Sequence, residues 1–375
     1  MRRRVLVVLG AAAVLGIYTG LKAAIAFPAH PLVAAAGAAL ALALFVAWQI
    51  AYRAGRLPDG GVWARAFAWA ASAAVAVWAT FLILSALGDA AHPILLAFSR
   101  ADADAAPAAV AASALLIAAL GLERALAGPR VKEVRVRARG LAAGLRGLRI
   151  VQISDLHAGP TIRREAVARV VERVMALSPD LIAVTGDLAD GDARRLAAQV
   201  EPLSGLRAPL GVYYVPGNHE YYWNAPAWIE KARALGFTPL INESCVVERA
   251  GARLLVAGVP DESGAAFVPG HEPDHAKAVG RESADFRLLL AHRPDGAAAA
   301  SRAGFDLQLS GHTHGGQFFP ASLFIGFFHK HARGLSREAG LTLYVNSGTG
   351  YWGPAHRFAV PAEITLLVLE GEETA

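Results

Sequence analysis

Five short polar motifs in this chain carry side chains suited to holding divalent cations. Asp155-Leu156-His157 follows the apolar run LRIVQIS, and Gly186-Asp187 follows LIAVT. Gly217-Asn218-His219-Glu220 comes just after the run at 211–215, His292 follows RLLLA, and Gly311-His312-Thr313-His314 follows LQLS. Imidazole nitrogen, carboxylate oxygen and an Asn carbonyl suit Mn, Fe or Zn. With Cys245 the only cysteine, a thiolate cluster is excluded. Asp187 has two oxygens and can bridge two cations. Asp155 and His157, two residues apart, are expected on one side of an extended segment. The glycines before Asp187, Asn218 and His312 allow tight turns and close backbone approach. Two cations ~3.5–4 Å apart can clamp a phosphate, activate a water for attack on phosphorus and stabilise in-line displacement, so no protein nucleophile is needed. His219 can neutralise developing charge or protonate the leaving oxygen.

Elements must bring these motifs together. The runs at 148–154, 181–185, 211–215, 253–259, 286–291, 307–310, 343–346 and 363–369 read as strands. Residues 164–177 carry Val167, Val170, Val171 and Val174 at helical spacing and read as an amphipathic helix. Strands alternating with helices indicate a layered α/β domain. Several motifs then sit at the carboxyl ends of strands, where functional groups of such sheets gather in one cleft.

The ordered set DxH, GD, GNHE, H and GHTH resembles the calcineurin-like metallophosphoesterases over about 147–370. The resemblance implies a four-layer α/β (α+β) fold, a β-sandwich of two mixed sheets flanked by helices. It implies two divalent metal ions. Asp155, His157, Asp187 and His314 would ligate the first, and Asp187, Asn218, His292 and His312 the second. His219 matches the position that contacts the scissile phosphate. GHTHGGQ, VNSGTGYWG and AVPAEITLLVL resemble the membrane-associated bacterial branch. A related membrane-associated group cleaves UDP-2,3-diacylglucosamine to UMP and lipid X.

The chain has 375 residues, 55% of them hydrophobic and 18% charged, where a soluble globular chain carries about 25% charge. The apolar excess lies before residue 130. Four apolar segments, at about 5–27, 32–52, 66–88 and 106–127, are each long enough to cross ~30 Å of hydrocarbon as a helix. The first could instead be a signal peptide, but a second apolar segment follows almost at once. The expected division is a transmembrane region of about four helices over 1–130 and a metallophosphoesterase domain over 131–375. Arg2, Arg3 and Arg4, then Arg53, Arg56 and Arg65, then Arg130, Lys132, Arg135, Arg137 and Arg139 flank the segments. Asp89, Asp102 and Asp104 lie between the third and fourth with Arg100. The positive-inside rule then puts both termini and the catalytic domain in the cytoplasm, on a multi-pass inner-membrane protein. The net charge of +5 follows from these collars, and nucleic acid is not an expected partner. No obligate protein partner is implied.

Residues 318–328 (FFPASLFIGFF) read either as a buried core element or as a membrane-facing loop that admits acyl chains. Asn346, Tyr351, Trp352 and Arg357 are candidates for the leaving-group side, since Tyr and Trp can stack on a base and Arg can pair with phosphate; a structural role competes. His271, His275, His329, His331 and His356 lie outside the motifs and are mostly expected to be solvated or structural. Three functions stay open. The first is a phosphoester or pyrophosphate hydrolase at the membrane, acting on a lipid-linked substrate such as UDP-2,3-diacylglucosamine. The second is a broad phosphodiesterase or phosphatase on soluble nucleotides. The third is a non-catalytic, metal-bound membrane scaffold.

Overall fold

Each apolar run that precedes a polar motif forms a strand in the computed structural model, which describes residues 14–25, 29–54, 61–98 and 106–372. Strands β1 (Arg130–Ala138), β2 (Arg149–Ile153), β3 (Leu181–Val184), β4 (Val212–Tyr214), β5 (Thr238–Pro239) and β12 (Glu363–Gly371) make one sheet, in the order β1-β12-β2-β3-β4-β5. Strands β6 (Glu243–Arg249), β7 (Ala252–Gly258), β8 (Phe286–Leu290), β9 (Leu307–Ser310), β10 (Gly334–Glu338) and β11 (Leu341–Val345) make the second, in the order β10-β11-β9-β8-β7-β6. Both sheets are mixed. β2, β3, β4 and β5 run parallel while β12 opposes β2; β7, β8, β9 and β11 run parallel between antiparallel edges β6 and β10.

The two-residue period of a strand decides which layer each side chain joins. Ile150 and Leu181 are in register and face the second sheet, where they meet Leu254, Val256, Leu288, Leu290, Leu307 and Leu309. Val151 and Ile182, one residue on, face outward and pack under helices. On that side α5 (Arg164–Met175) buries Val167, Val170 and Val174, with α6 (Ala193–Val200) and α8 (Ala225–Ala234) beside it. Leu255 and Leu289 face the other way, under α9 (His275–Val279) and α10 (Ala297–Ala303). The order helix, sheet, sheet, helix is the expected four-layer sandwich.

Three differences have physical reasons. The basic cluster at 130–139 forms the edge strand β1: it pairs with β12, whose acids answer it, with Arg135 at 2.9 Å from Glu370 and Arg139 at 2.8 Å from Glu372. Charges of this kind keep an edge strand from pairing with other chains. β6 and β10 escape the reading because their half-exposed faces interleave Glu, Arg and Ser with the apolar residues. Residues 318–328 are not a core element: they form two short 3-10 turns, at Ala321–Leu323 and Ile325–Phe327, with exposed apolar side chains.

Before the domain come α1 (Val14–Ile25), α2 (Pro31–Ala54), α3 (Val62–Phe98) and α4 (Ala106–Ala127). α2, α3 and α4 are long and apolar enough to cross a membrane, and α1 is shorter within the described residues. The expectations for residues 1–13, Arg56, Arg100, Asp102 and Asp104 lie outside the described residues. α3 runs well past the expected 66–88, through Gly88 and Pro93.

Candidate metal centre

The candidate side chains leave the two sheets at the carboxyl ends of β2, β3, β4, β8 and β9 and meet in one cleft. Asp155 and His157 come from the turn after β2, Asp187 from that after β3, Asn218 and His219 from α7 (Asn218–Tyr222), His292 from the end of β8, and His312 and His314 from the turn after β9. Asp155 and His157 do not sit on an extended segment. Both are left-handed, at φ 53 and 51, and they converge because two such residues fold the chain back on itself. Asp187 (54), His312 (70) and His314 (50) share that conformation. Five of the eleven described non-glycine residues with positive φ are thus in this cleft. Such backbone costs about 1–3 kcal/mol per residue, and it persists where the surroundings over-determine it.

The glycines explain how the turns close. A Cβ on Gly186 would meet the Gly217 amide nitrogen at 2.6 Å and His292 Nδ1 at 2.7 Å. Gly311 leaves the room in which Ser154 Oγ donates to Asp155 Oδ2 at 2.6 Å. Glu220 then pins the floor. Its carboxylate accepts the amides of Gly217 (2.7 Å), Asp187 (2.9 Å) and Leu188 (2.8 Å), tying the turn after β3 to the one after β4. Burial and the neighbouring Asp187 nevertheless push Glu220 up to about 7.

The nitrogens and oxygens converge. Asp187 Oδ2 lies 3.3 Å from His292 Nε2, 3.7 Å from His157 Nε2 and 3.9 Å from His219 Nε2. Asp155 Oδ1 is 3.3 Å from His314 Nε2 and 4.0 Å from His157 Nε2, and the two imidazole nitrogens are 3.0 Å apart. His292 Nε2 is 3.1 Å from Asn218 Oδ1. Asp155/His157/His314 and Asp187/His292/His312 each have donor atoms within 4.8 Å of one another and could hold a metal ion; so could His157/Asp187/His219. Burial opposes charge on Asp155, Asp187 and Asp190, yet the surrounding imidazoles hold all three carboxyls below the usual range. Burial also opposes charge on His219 and His292, but the neighbouring acids together outweigh it, Asp187 and Asp190 raising His219 to about 9 and Asp187 and Asp155 raising His292 to about 10. His312 is held down at about 3 by burial and by His292, and His314 at about 4 by burial, against Asp155. Buried acids and imidazoles whose oxygens and ring nitrogens face one another form a donor set that fits divalent cations.

Asp190 is the site residue that sequence reading missed. Its Oδ1 accepts Nδ1–H of both His157 (3.1 Å) and His219 (2.5 Å), leaving each Nε2 turned to the cleft. The signal was a second aspartate three residues after Asp187, in a turn bridged to the DxH turn by Ala158 and Ala189. Of the four leaving-group candidates, Trp352 lines the cleft with Tyr222, Gln317, Phe318, Ile325, Phe328 and His329. Asn346, Tyr351 and Arg357 do not face it. Asn346 is buried on Thr365 and the Gly348 amide, and Tyr351 lies in the core under the α5 side. Arg357 spends its donors on the carbonyls of Ser347, Gly350 and His314 and on His314 Nδ1. His329, expected to be solvated or structural, stands on the cleft wall with its ring 6.0 Å from that of His312.

The family model "Calcineurin-like phosphoesterase" matches residues 148–316. A zebrafish (Danio rerio) protein named "Transmembrane protein with metallophosphoesterase domain" is 38% identical over 264 residues, 68% of this chain and 60% of that protein. An "Uncharacterized metallophosphoesterase" of Helicobacter pylori is 36% identical over 252 residues, 66% of each chain. One of Aquifex aeolicus is 32% identical over 251 residues, 65% of this chain and 92% of that protein. The chain spans between about half and two thirds of the length of the first three curated relatives it matches. The motifs, the two-sheet sandwich, the cleft and these relatives agree: the chain belongs to the calcineurin-like metallophosphoesterases.

Proposed function

We propose that the protein is a membrane-bound hydrolase of phosphoester or pyrophosphate bonds that works with two divalent cations, Mn, Fe or Zn. The observation that carries this reading is the convergence of seven ligand-type side chains from the ends of five strands on one cleft, with Asp187 Oδ2 within 3.3–3.9 Å of three imidazoles. Asp155, His157, Asp187 and His314 would hold one cation, and Asp187, Asn218, His292 and His312 the other. When bound, the cations supply Lewis-acid stabilisation of charge on phosphoryl oxygens and activation of water. The chain's own residues do the rest. Asp187 sits between the two ligand sets. Asp190 fixes the rings of His157 and His219, and His219 Nε2 faces the cleft to donate a proton to the leaving oxygen. Trp352 and Tyr222 offer apolar faces beside it.

The membrane reading rests on α2, α3 and α4, which would cross the bilayer with the domain on the cytoplasmic side, where Arg65 and the other cations between the second and third spans lie. The residues then divide into a transmembrane region over 1–130 and a hydrolase domain over 131–375. A bilayer-resident phosphate ester such as UDP-2,3-diacylglucosamine is the substrate class this supports. The test is UMP release from UDP-2,3-diacylglucosamine by the full chain in detergent with Mn²⁺, Asp187→Ala serving as blank and a chromogenic phosphodiester as activity control. Release absent from the blank supports the lipid substrate. No release with the chromogenic ester cleaved removes that substrate, and neither reaction removes the hydrolase.

A further inference from the structure

The cleft wall and the candidate membrane helices share residues. Ala355 donates its amide to Ser72 Oγ of α3 at 2.9 Å, and the Arg357 amide donates to the Gly121 carbonyl of α4 at 2.9 Å. His356 lies so close against Gly121 that a Cβ there would clash with its imidazole. Gly353 approaches the indole of Trp48 in α2. The segment 353–357 is thus seated on three helices at once, at the level of Trp48, Ser72 and Gly121. From Ser72 to Ala91, α3 continues for 19 residue steps, which at about 1.5 Å each is about 29 Å. That is the thickness of a bilayer's hydrocarbon, ~30 Å. Within the candidate span Val62–Ala91, a hydrocarbon layer that ends at Ala91 would have its other edge at Ser72.

The loop at 318–328 begins at that level. The Phe318 ring stacks on His356 at 5.6 Å and 9°, and Phe318 also lines the cleft with Trp352. From there the loop turns its apolar side chains outward: Leu323 is 67% exposed, Phe327 85% and Phe328 79%, and Phe324 stacks beside Phe327. A water-soluble domain rarely leaves such a contiguous aromatic patch bare. Exposed Lys330 and Arg333 flank it, as cations flank segments that lie in the headgroup layer.

We infer that residues 318–328 form a lip embedded in the headgroup–acyl boundary of the bilayer, so that the cleft opens onto the membrane surface and takes phosphorylated lipids from it. The occupant is the bilayer that α2, α3 and α4 cross, and this rests on the membrane reading above, not on the metal chemistry. The lip is continuous with the helices through Phe318 and His356. Phe328 and Ile325 sit both in the lip and in the cleft wall, which gives an acyl chain an apolar path from the bilayer to the site.

The test needs no turnover. The full chain carrying Cys245→Ser and one added cysteine, at Phe327, at Leu40 of α2 or at Glu248 of β6, is spin-labelled and placed in nanodiscs of phosphatidylcholine and phosphatidylglycerol. Collision with oxygen, which partitions into lipid, is compared with collision with a water-soluble nickel chelate. The expected result is a Phe327 label that resembles Leu40 in favouring oxygen, at shallower depth, while Glu248 favours nickel. A Phe327 label that matches Glu248 while Leu40 reads as lipid-buried overturns the lip and leaves the spans standing. Low collision with both reagents would mean a protein cover, such as a second copy, and overturns it too. A Leu40 label open to nickel would instead remove the membrane reading on which the proposal rests. As a second readout, Leu323→Ser combined with Phe324→Ser and Phe327→Ser, none of which lines the cleft, should keep chromogenic ester turnover and lose turnover of a phospholipid ester in the nanodisc; equal loss on both refutes the lip.

Discussion

Replacing Asp190 by Asn keeps the shape of the side chain and removes its charge. Asp190 is buried, and one of its oxygens takes the Nδ1–H of His157 at 3.1 Å and of His219 at 2.5 Å. The Asn carbonyl can still accept both protons, so the rings keep their tautomer and their direction. What is lost is the charge assistance. A hydrogen bond to an ionised group contributes about 1.5–3 kcal/mol, against about 0.5–1.5 for a neutral one, so each of the two bonds loses about 1 kcal/mol. The sum, about 2 kcal/mol, is roughly 30-fold at about 1.4 kcal/mol per tenfold. It lies inside the ~10–100-fold that loss of an outer partner of a metal-ligating His typically costs. Asp190→Ala, which removes both bonds and leaves space around two rings, should cost more. The assay is the Mn²⁺ dependence of chromogenic phosphodiester cleavage by the full chain, with calorimetric Mn²⁺ titration as a readout independent of turnover. An Asn variant that matches the unaltered chain in Mn²⁺ affinity and in kcat/KM would refute the view that Asp190 orients these rings.

Asp187→Ala should abolish metal-dependent turnover and remove the tighter phase of Mn²⁺ binding, read by calorimetry; a fully active variant would exclude Asp187 as the shared ligand. Glu220→Ala leaves the buried amides of Gly217, Asp187 and Leu188 unpaired at about 1–3 kcal/mol each, so a large fall in thermal stability is expected, with Glu220→Gln milder; differential scanning fluorimetry decides. Gly121→Leu must push His356 off α4, an overpacking of about 1–3 kcal/mol even as the helix gains propensity, and should weaken Mn²⁺ binding although no ligand is touched; unchanged affinity would show that the helix contact is not coupled to the site. Added Mn²⁺ at about 100 times its dissociation constant should raise stability by about 2.7 kcal/mol over a chelated sample, seen as a shift in Tm; no shift would mean that the folded chain binds no cation.

The sandwich and its cleft were legible because each motif abuts an apolar run. Burial on both faces makes β3 wholly apolar and β8 apolar but for Arg287, β2 and β9 are buried along almost all of their length, and the motif residues follow where the chain leaves the sheet. Asp190 offered only a second aspartate three residues after Asp187, and nothing in the text of a turn says that its carboxylate will lie beneath two rings from other turns. Asn346, Tyr351 and Arg357 misled for the opposite reason. Their side chains look like ligand contacts in a loop, yet Asn346 and Arg357 satisfy this loop's own backbone and Tyr351 packs into the core. β1 was hidden because alternating cations on an edge strand read the same as a membrane collar until the partner strand supplies Glu370 and Glu372.

Arg357 bears on why the helices and the domain act as one unit. A guanidinium with 1% exposure would carry a large desolvation cost if left unpaired, and among the described residues no carboxylate lies within 4 Å of it. Carbonyls take the place of a counter-ion: Ser347 at 2.7 Å, Gly350 at 3.0 Å and His314 at 3.3 Å, with His314 Nδ1 at 2.9 Å. Burial lowers Arg357 to about 10 despite Asp155 and Glu363, so it stays charged at neutral pH. Its side chain therefore holds the loop at 347–350 and the His314 ring in one arrangement, while its own amide is fixed to Gly121 of α4. The bond from Ala355 to Ser72 prevents that segment from swinging, and Trp69 and Leu122 add apolar contact to the same core. One residue thus joins α4 to the site: the amide of Arg357 is bonded to Gly121, and its guanidinium to His314. The helices would thus set the geometry of one candidate ligand as well as the depth at which the cleft meets the bilayer, and both follow from the same contact between Gly121 and the segment 353–357.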